Sequence, residues 1–356
     1  MNGTSGLLTR RSHRAAPLSQ AEEVPASGGE TTTPLDRNRR HLQLALGVIW
    51  LIDAGLQFQP YMFTKSFVVS TLEPTALGNP SIVAQPMLWA DRFMLHDVAV
   101  WNSLFACIQL LIAIGLFRRR SVRLALAASV VWSLGVWWIG EGLGGVLSGA
   151  TPVTGAPGAV ILYALVAVLL YPPKVARHST GHTSSVSVGR RSPLGGLAPN
   201  VLWAVLWGSF AYLLLLPANR APHGLHNAVA AMASGEPGWI RSLDTGLASA
   251  LGQHGTQTSA VLAVLCVFVA LGIFFPALVR PVVVLAITVS LAFWVAEDFG
   301  GILTSQGTDV NSGPALVLLA MAYWPVTRML RSQASAYPVA AKLAEPTPQP
   351  ALPAVA

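Results

Sequence analysis

The stretch Trp138-Ile139-Gly140-Glu141-Gly142-Leu143-Gly144-Gly145-Val146-Leu147-Ser148 returns later in the chain as Trp294-Val295-Ala296-Glu297-Asp298-Phe299-Gly300-Gly301-Ile302-Leu303-Thr304. The shared pattern is W-x-x-E-x-x-G-G-[VI]-L-[ST]. Each copy closes an apolar run, and each is followed by a Gly/Pro-bearing loop and another apolar run. A tryptophan suits the headgroup region of a bilayer, so the pattern places an acid twice at one membrane boundary.

The rest of the sequence agrees with a lipid setting. Charged residues make up 10% of the chain and hydrophobic ones 53%, whereas a soluble domain carries about 25% charged residues. Mean hydropathy is +0.55. Runs with almost no charge and nearly the length of a bilayer crossing recur along the chain. They predict eight spans: 42–59, 98–117, 122–140, 158–171, 201–216, 259–278, 281–296 and 314–325. No cleavable signal precedes the first run, which is expected to act as its own insertion signal.

Outward from the duplicated pattern, further anchors fall into one register. At an offset of 157, Trp50 meets Trp207, Ala54 meets Ala211, Pro60 meets Pro217, and Gly78-Asn79-Pro80 meets Gly235-Glu236-Pro237. The expected fold class is therefore all-α, a polytopic membrane protein of eight transmembrane helices arranged as two parallel four-helix repeats. An even number of spans per repeat gives both halves one orientation. The predicted organisation is a disordered tail over 1–40, a first repeat over 41–172, a linker over 173–198, a second repeat over 199–330 and a disordered tail over 331–356. Of the 22 Lys and Arg residues, 18 fall on the side holding both termini. By the positive-inside rule that side is cytoplasmic, and the net charge of +7 reflects orientation and anionic lipid rather than nucleic acid.

Candidate functional residues follow from where polarity is out of place. Asp53 falls inside the first span, where an acid costs about 2.5–3.5 kcal/mol on insertion scales. Gln57 lies one turn further on the same face, and Gln109 is at similar depth in the second span. The corresponding residues of the second half are Phe210, Leu214 and Cys266, so one half carries a polar interior that the other lacks. Glu141 and Glu297, with Trp138 and Trp294, form the repeated boundary. Two readings of the glutamates stand: acids ending a span beside glycines, or carboxylates facing an outward cavity. Tyr61–Leu72 is read either as a cover lying over a cavity mouth or as a loop packed on the bundle. His223 and His226 have the spacing of a metal pair but no counterpart in the first half, and no metal is assigned to them. Cys107 and Cys266 are read as packing residues. Phosphate loops, dinucleotide fingerprints and nucleophile elbows are absent from the sequence.

Each half resembles the four-helix membrane unit of the DoxX/DoxD family, in its polar outer half of the first span, its long outer connection, its Arg-rich end to the second span and its two closely linked spans after that. The chain is similar to actinobacterial polytopic membrane proteins that carry tandem copies of the unit, and the resemblance covers about residues 41–330. It implies an accessory or binding subunit associated with membrane redox systems, since the family includes the small membrane subunit of a thiosulfate:quinone oxidoreductase; no catalytic residue of that enzyme maps onto a position here. The expectation is a membrane binding protein with an outward polar pocket, formed by Asp53, Gln57, Gln109 and Glu141, for a small hydrophobic or quinone-like molecule or a partner. A proton-coupled solute transporter using Asp53 and the two glutamates, and a structural scaffold, are the rivals.

Overall fold

The computed structural model describes residues 33–173, 187–232 and 237–326. The tail over 1–32, half of the linker (174–186), the Gly235-Glu236 part of the repeat alignment and the C-terminal tail lie outside the described residues. Those described are helical or loop, with no strand.

Helix α1 spans Pro34–Leu56 and starts well before the first predicted span. The reason is local: the Thr33 hydroxyl accepts the Asp36 amide, and Pro34 occupies the first turn, where its missing N–H costs nothing. After α1 the chain makes a single turn, α2 (Lys65–Phe67), that continues into a π-type turn over Val68–Leu72. Met62, Phe67 and Val68 are buried there against Met94 and Val98. The amphipathic α3 (Ser81–Met94) follows in what the sequence gives as a polar connection. Next come α4 (Val98–Phe117), capped by the Asp97 carboxylate, then α5 (Val122–Ile139) and α6 (Ala159–Leu170). The second part of the chain runs α7 (Ala198–Leu214), α8 (Gly224–Met232), α9 (Gly238–Leu251), α10 (Gly255–Gly272), α11 (Val279–Ala296) and α12 (Ser312–Ala322).

Four stretches are helical, long and apolar enough to cross a membrane: Val98–Phe117, Val122–Ile139, Gly255–Gly272 and Pro276–Ala296. They leave large apolar side chains such as Leu111, Leu124, Val131 and Val264 facing outward. A water-soluble protein would hide such surfaces, and a lipid-facing one displays them. Three other apolar helices, α6, α7 and α12, are shorter. At 1.5 Å per residue, α6 and α12 reach only about 18 and 16 Å, against a hydrocarbon core of about 30 Å.

Helix α1 packs on α4, α7 on α10, α5 on α6 and α11 on α12; α6 and α12 pack on each other and both touch α1. The apolar core runs between them, with Trp50 edge-on to Tyr163 and Trp203 against Tyr323.

Candidate functional site

The two W-x-x-E-x-x-G-G stretches adopt the same backbone. Gly142, Leu143, Gly144 and Gly145 have φ of 55°, 58°, 61° and 68°; Asp298, Phe299, Gly300 and Gly301 have 52°, 55°, 74° and 63°. Each is a full turn of left-handed helix. Glycine enters that region freely and aspartate more readily than most residues, whereas Leu143 and Phe299 each bear about 1–2 kcal/mol for doing so. The turn brings the loop against the chain that enters the next helix: a Cβ on Gly144 would overlap the Pro157 carbonyl oxygen.

That approach gives both glutamates a defined partner. Glu141 Oε1 accepts the Val160 amide at 3.3 Å, at the N-terminus of α6. Glu297 Oε1 accepts the Ser312 hydroxyl at 2.6 Å, at the N-terminus of α12. Each carboxyl thus satisfies orphan donors at the positive end of the following helix, which accounts for its occurring twice. In both, the second oxygen is buried without a hydrogen-bond partner. Burial and the neighbouring Asp309 push the Glu141 carboxyl well above its ordinary range, against the pull of the amide bonds from Val160 and Ala159. Burial likewise pushes Glu297 up to about 8, opposed by its bonds to Ser312.

The tryptophans do not play matching roles. Trp294 Nε1 donates to the Val310 carbonyl at 2.9 Å, two residues before α12. In the first half the equivalent bond, at 2.6 Å to the Pro157 carbonyl two residues before α6, comes from Trp137. Trp138, expected at the site, is 44% exposed; it is one helical position round from the inward face and is removed from the site.

Asp53 and Gln57 are also reassigned. They do not line a pocket of the first half; they hold the segment ahead of α12. Asp53 Oδ1 accepts the Val310 amide at 3.2 Å, Gln57 Nε2 donates to the Thr308 carbonyl at 3.3 Å, and Gln59 Nε2 donates to the Gly307 carbonyl at 3.0 Å. Asn102 on α4 in turn holds the Gln57 carbonyl at 2.7 Å. This is why the second half has no polar counterpart: its own loop is the partner. Gln109 is buried, its Oε1 unpaired, and makes no hydrogen bond with Asp53 or Gln57.

A cavity of about 380 Å³ opens between the 71–77 segment and the two glycine-rich loops. Its wall carries Thr71, Thr75, Glu141, Thr308, Asp309 and Asn311, together with several glycines. Of the expected site residues only Glu141 lies on it. The wall includes no aromatic ring and no Lys, Arg or His. The Tyr61–Leu72 segment contributes its last residues to the rim while its first part packs on the bundle.

Two residues that the sequence reading passed over complete the site. Asp309 accepts the Asn311 amide at 2.7 Å and the Thr308 hydroxyl at 2.9 Å; burial raises its pKa, against both bonds. Tyr163 of α6 is fully buried with its hydroxyl beside the Asp53 carboxyl, and the Tyr163 hydroxyl and Asp53 Oδ2 close no regular hydrogen bond. Asp53, Glu141 and Glu297 all lie within electrostatic reach of Asp309. Tyr163 was legible in principle as the one polar group in the apolar run of α6. Asp309 carried no signal, sitting in an ordinary polar loop.

The histidine pair is not assembled as a metal centre. His223 precedes α8, its ring centroid is 6.1 Å from that of His226, and His226 Nδ1 faces the Ala248 carbonyl at 2.7 Å. Among the described residues, no three His, Cys, Asp or Glu side chains converge on a position for one metal ion. Compared with known proteins, the chain matches no family model, no curated protein and no solved structure.

Proposed function

We propose that the chain is an integral membrane binding protein whose cavity takes a small solute bearing a positive charge or several N–H donors. The observation that carries this is the composition of the cavity wall: two carboxyl groups, four threonines and an asparagine, with no cation to neutralise the acids and no ring to stack a flat ligand. A volume near 380 Å³ is at the small end of ligand pockets, about 300–1,000 Å³. A quinone-like ligand, the expectation from the family resemblance, would meet an acidic wall there without an aromatic partner, so the hydrophobic-ligand reading gives way to a cationic one.

The architecture proposed around this site is eight spans in two parallel four-helix repeats of the DoxX type, in a cytoplasmic membrane, with both termini inside. The matching pairs α1/α4 and α7/α10, the pairs α5/α6 and α11/α12, and the identical left-handed turns support the repeat. On this reading α6 and α12 cross only part of the bilayer, and the loops before them complete the crossing as irregular backbone enclosed by protein, the one setting in which lipid tolerates it. Association with a membrane redox complex remains what the resemblance implies, and no residue of the cavity speaks for it.

The test is binding of 1,4-diaminobutane to the detergent-purified protein by calorimetry, with butane-1,4-diol as the uncharged isostere. The diamine is expected to bind and the diol not. Equal binding of both, or of neither, would remove the cationic-ligand reading. Reporter fusions after each predicted span test the topology separately.

A further inference from the structure

Two carboxyl groups line the cavity, Glu141 after α5 and Asp309 ahead of α12, and two more are buried behind them within electrostatic reach of Asp309: Asp53 from α1 and Glu297 at the end of α11. Among the described residues, these three acids and Tyr163 of α6 lie within electrostatic reach of Asp309. Among the described residues none of the four acids is paired with a Lys, Arg or His. Asp53 and Glu297 are each 1% exposed and Tyr163 0%, and each keeps one polar atom unpartnered. Like charges within electrostatic reach of one another in a poorly solvated space do not all ionise together, so the cluster holds protons that belong to the group rather than to one residue.

A cation arriving at the wall changes that balance. It stabilises the ionised carboxyls, and the cluster then has protons to give up. From this arrangement we propose that the cavity is an exchange site at which a solute ammonium group and protons compete for the same carboxyl cluster, with Asp309 and Glu141 facing the solute and Asp53, held beside the Tyr163 hydroxyl, as the inner carboxyl. For each ammonium charge seated, one carboxylic O–H is broken, its electron pair stays on the carboxylate, and the proton leaves to water through the cavity mouth. The net charge of the occupied cluster is unchanged, which makes burying the cation affordable in a space that holds no counter-ion. A lone divalent metal ion does not fit as well, because the carboxyls do not converge on one point; an extended diamine reaches more than one of them. Coupled uptake and proton release is the property a transporter would need, and it is tested here as an equilibrium at the site.

The inference rests on the cationic-ligand reading, and its test separates the two. Detergent-purified full-length protein in weak buffer with a pH indicator receives 1,4-diaminobutane adjusted beforehand to the same pH. Binding is expected to acidify the solution by about one proton per bound ammonium charge, and affinity is expected to fall at least about tenfold per pH unit as acid is added from pH 8 to 5. Asp53→Asn, which keeps an acceptor for the Val310 amide, is expected to flatten that profile and reduce the protons released per diamine bound. Binding that is independent of pH and releases no proton overturns the exchange while leaving the ligand class standing. Failure to bind the diamine at any pH overturns both.

Discussion

The Asp53 carboxylate and the Val310 amide are 257 residues apart in the chain and joined by a hydrogen bond of 3.2 Å. The acid that stands out in the sequence of α1 is therefore a clamp on the loop of the other half, and Gln57 and Gln59 reinforce it on the same segment. The clamp sets where Asp309 sits, because Asp309 is the residue immediately before Val310. Asp53→Asn retains an oxygen acceptor and is expected to unfold near the wild-type temperature. Asp53→Leu leaves the buried Val310 N–H without a partner, at a cost of about 1–3 kcal/mol. Thermal unfolding in detergent, followed by tryptophan fluorescence, distinguishes the two. If the leucine variant proves as stable as the asparagine one, the bond has no structural weight.

Trp137 and Trp294 donate equivalent bonds to the carbonyls two residues before α6 and α12. Replacing either by Phe removes the donor and strands a carbonyl, with an expected loss of about 1 kcal/mol. Trp138→Phe, at an outward position, is expected to change stability by no more than about 0.5 kcal/mol. The same unfolding measurement ranks the three. A larger effect at Trp138 than at Trp137 would restore the register suggested by the sequence pattern.

Why that register slipped by one shows what a sequence carries and what it does not. The apolar runs, the proline stops and the twin acids are one-dimensional signals, and the helices they announce are present. Trp137 and Trp138 are adjacent, so pattern matching could not tell which faces inward; the answer is set by about 100° of helix rotation. Asp53 and Gln57 were correctly singled out as buried polar groups, but their partners are backbone atoms of a distant loop, and backbone has no sequence identity to match. Asp309 becomes a site residue only because that clamp carries it to the cavity. The left-handed turn before α12 was not legible, since Phe299, like Leu143 in the first copy, occupies a conformation that its residue type disfavours.

Gly144 is the position at which the loop geometry is least forgiving. Its φ of 61° is left-handed, and an added Cβ would overlap the Pro157 carbonyl. Gly144→Ala combines overpacking with backbone strain, together about 2–5 kcal/mol, and is expected to abolish a folded, monodisperse peak in size-exclusion chromatography. Gly135→Ala, on α5 with nothing within 4 Å of the new methyl group, is expected to be neutral or to gain about 0.5–1 kcal/mol of helix propensity. A well-folded Gly144→Ala protein would mean that the loop does not approach α6 as described.

Buried acids without counter-ions make stability depend on pH in one direction. Burial, with Glu73 nearby, pushes Asp91 of α3 up to about 6, and burial pushes Glu297 up to about 8. Glu141 and Asp309 move the same way. Below the unfolded-chain values near 4, both states hold these protons and pH has no leverage. Between those values and the folded ones, the unfolded chain has released protons that the folded protein still binds, so stability falls as pH rises. For Asp91 the loss is complete near pH 6, and for Glu297 it continues to about pH 8. The unfolding midpoint in detergent is therefore expected to drop progressively from pH 4.5 to 8. Asp91→Asn should remove part of the slope below about pH 6 while leaving the upper part, and Glu297→Gln should flatten the curve through to about pH 8, since glutamine keeps the acceptor for Ser312. A midpoint that instead climbs with pH would show these carboxyls to be charged and compensated in the folded protein, and the cluster around the cavity would have no protons to exchange.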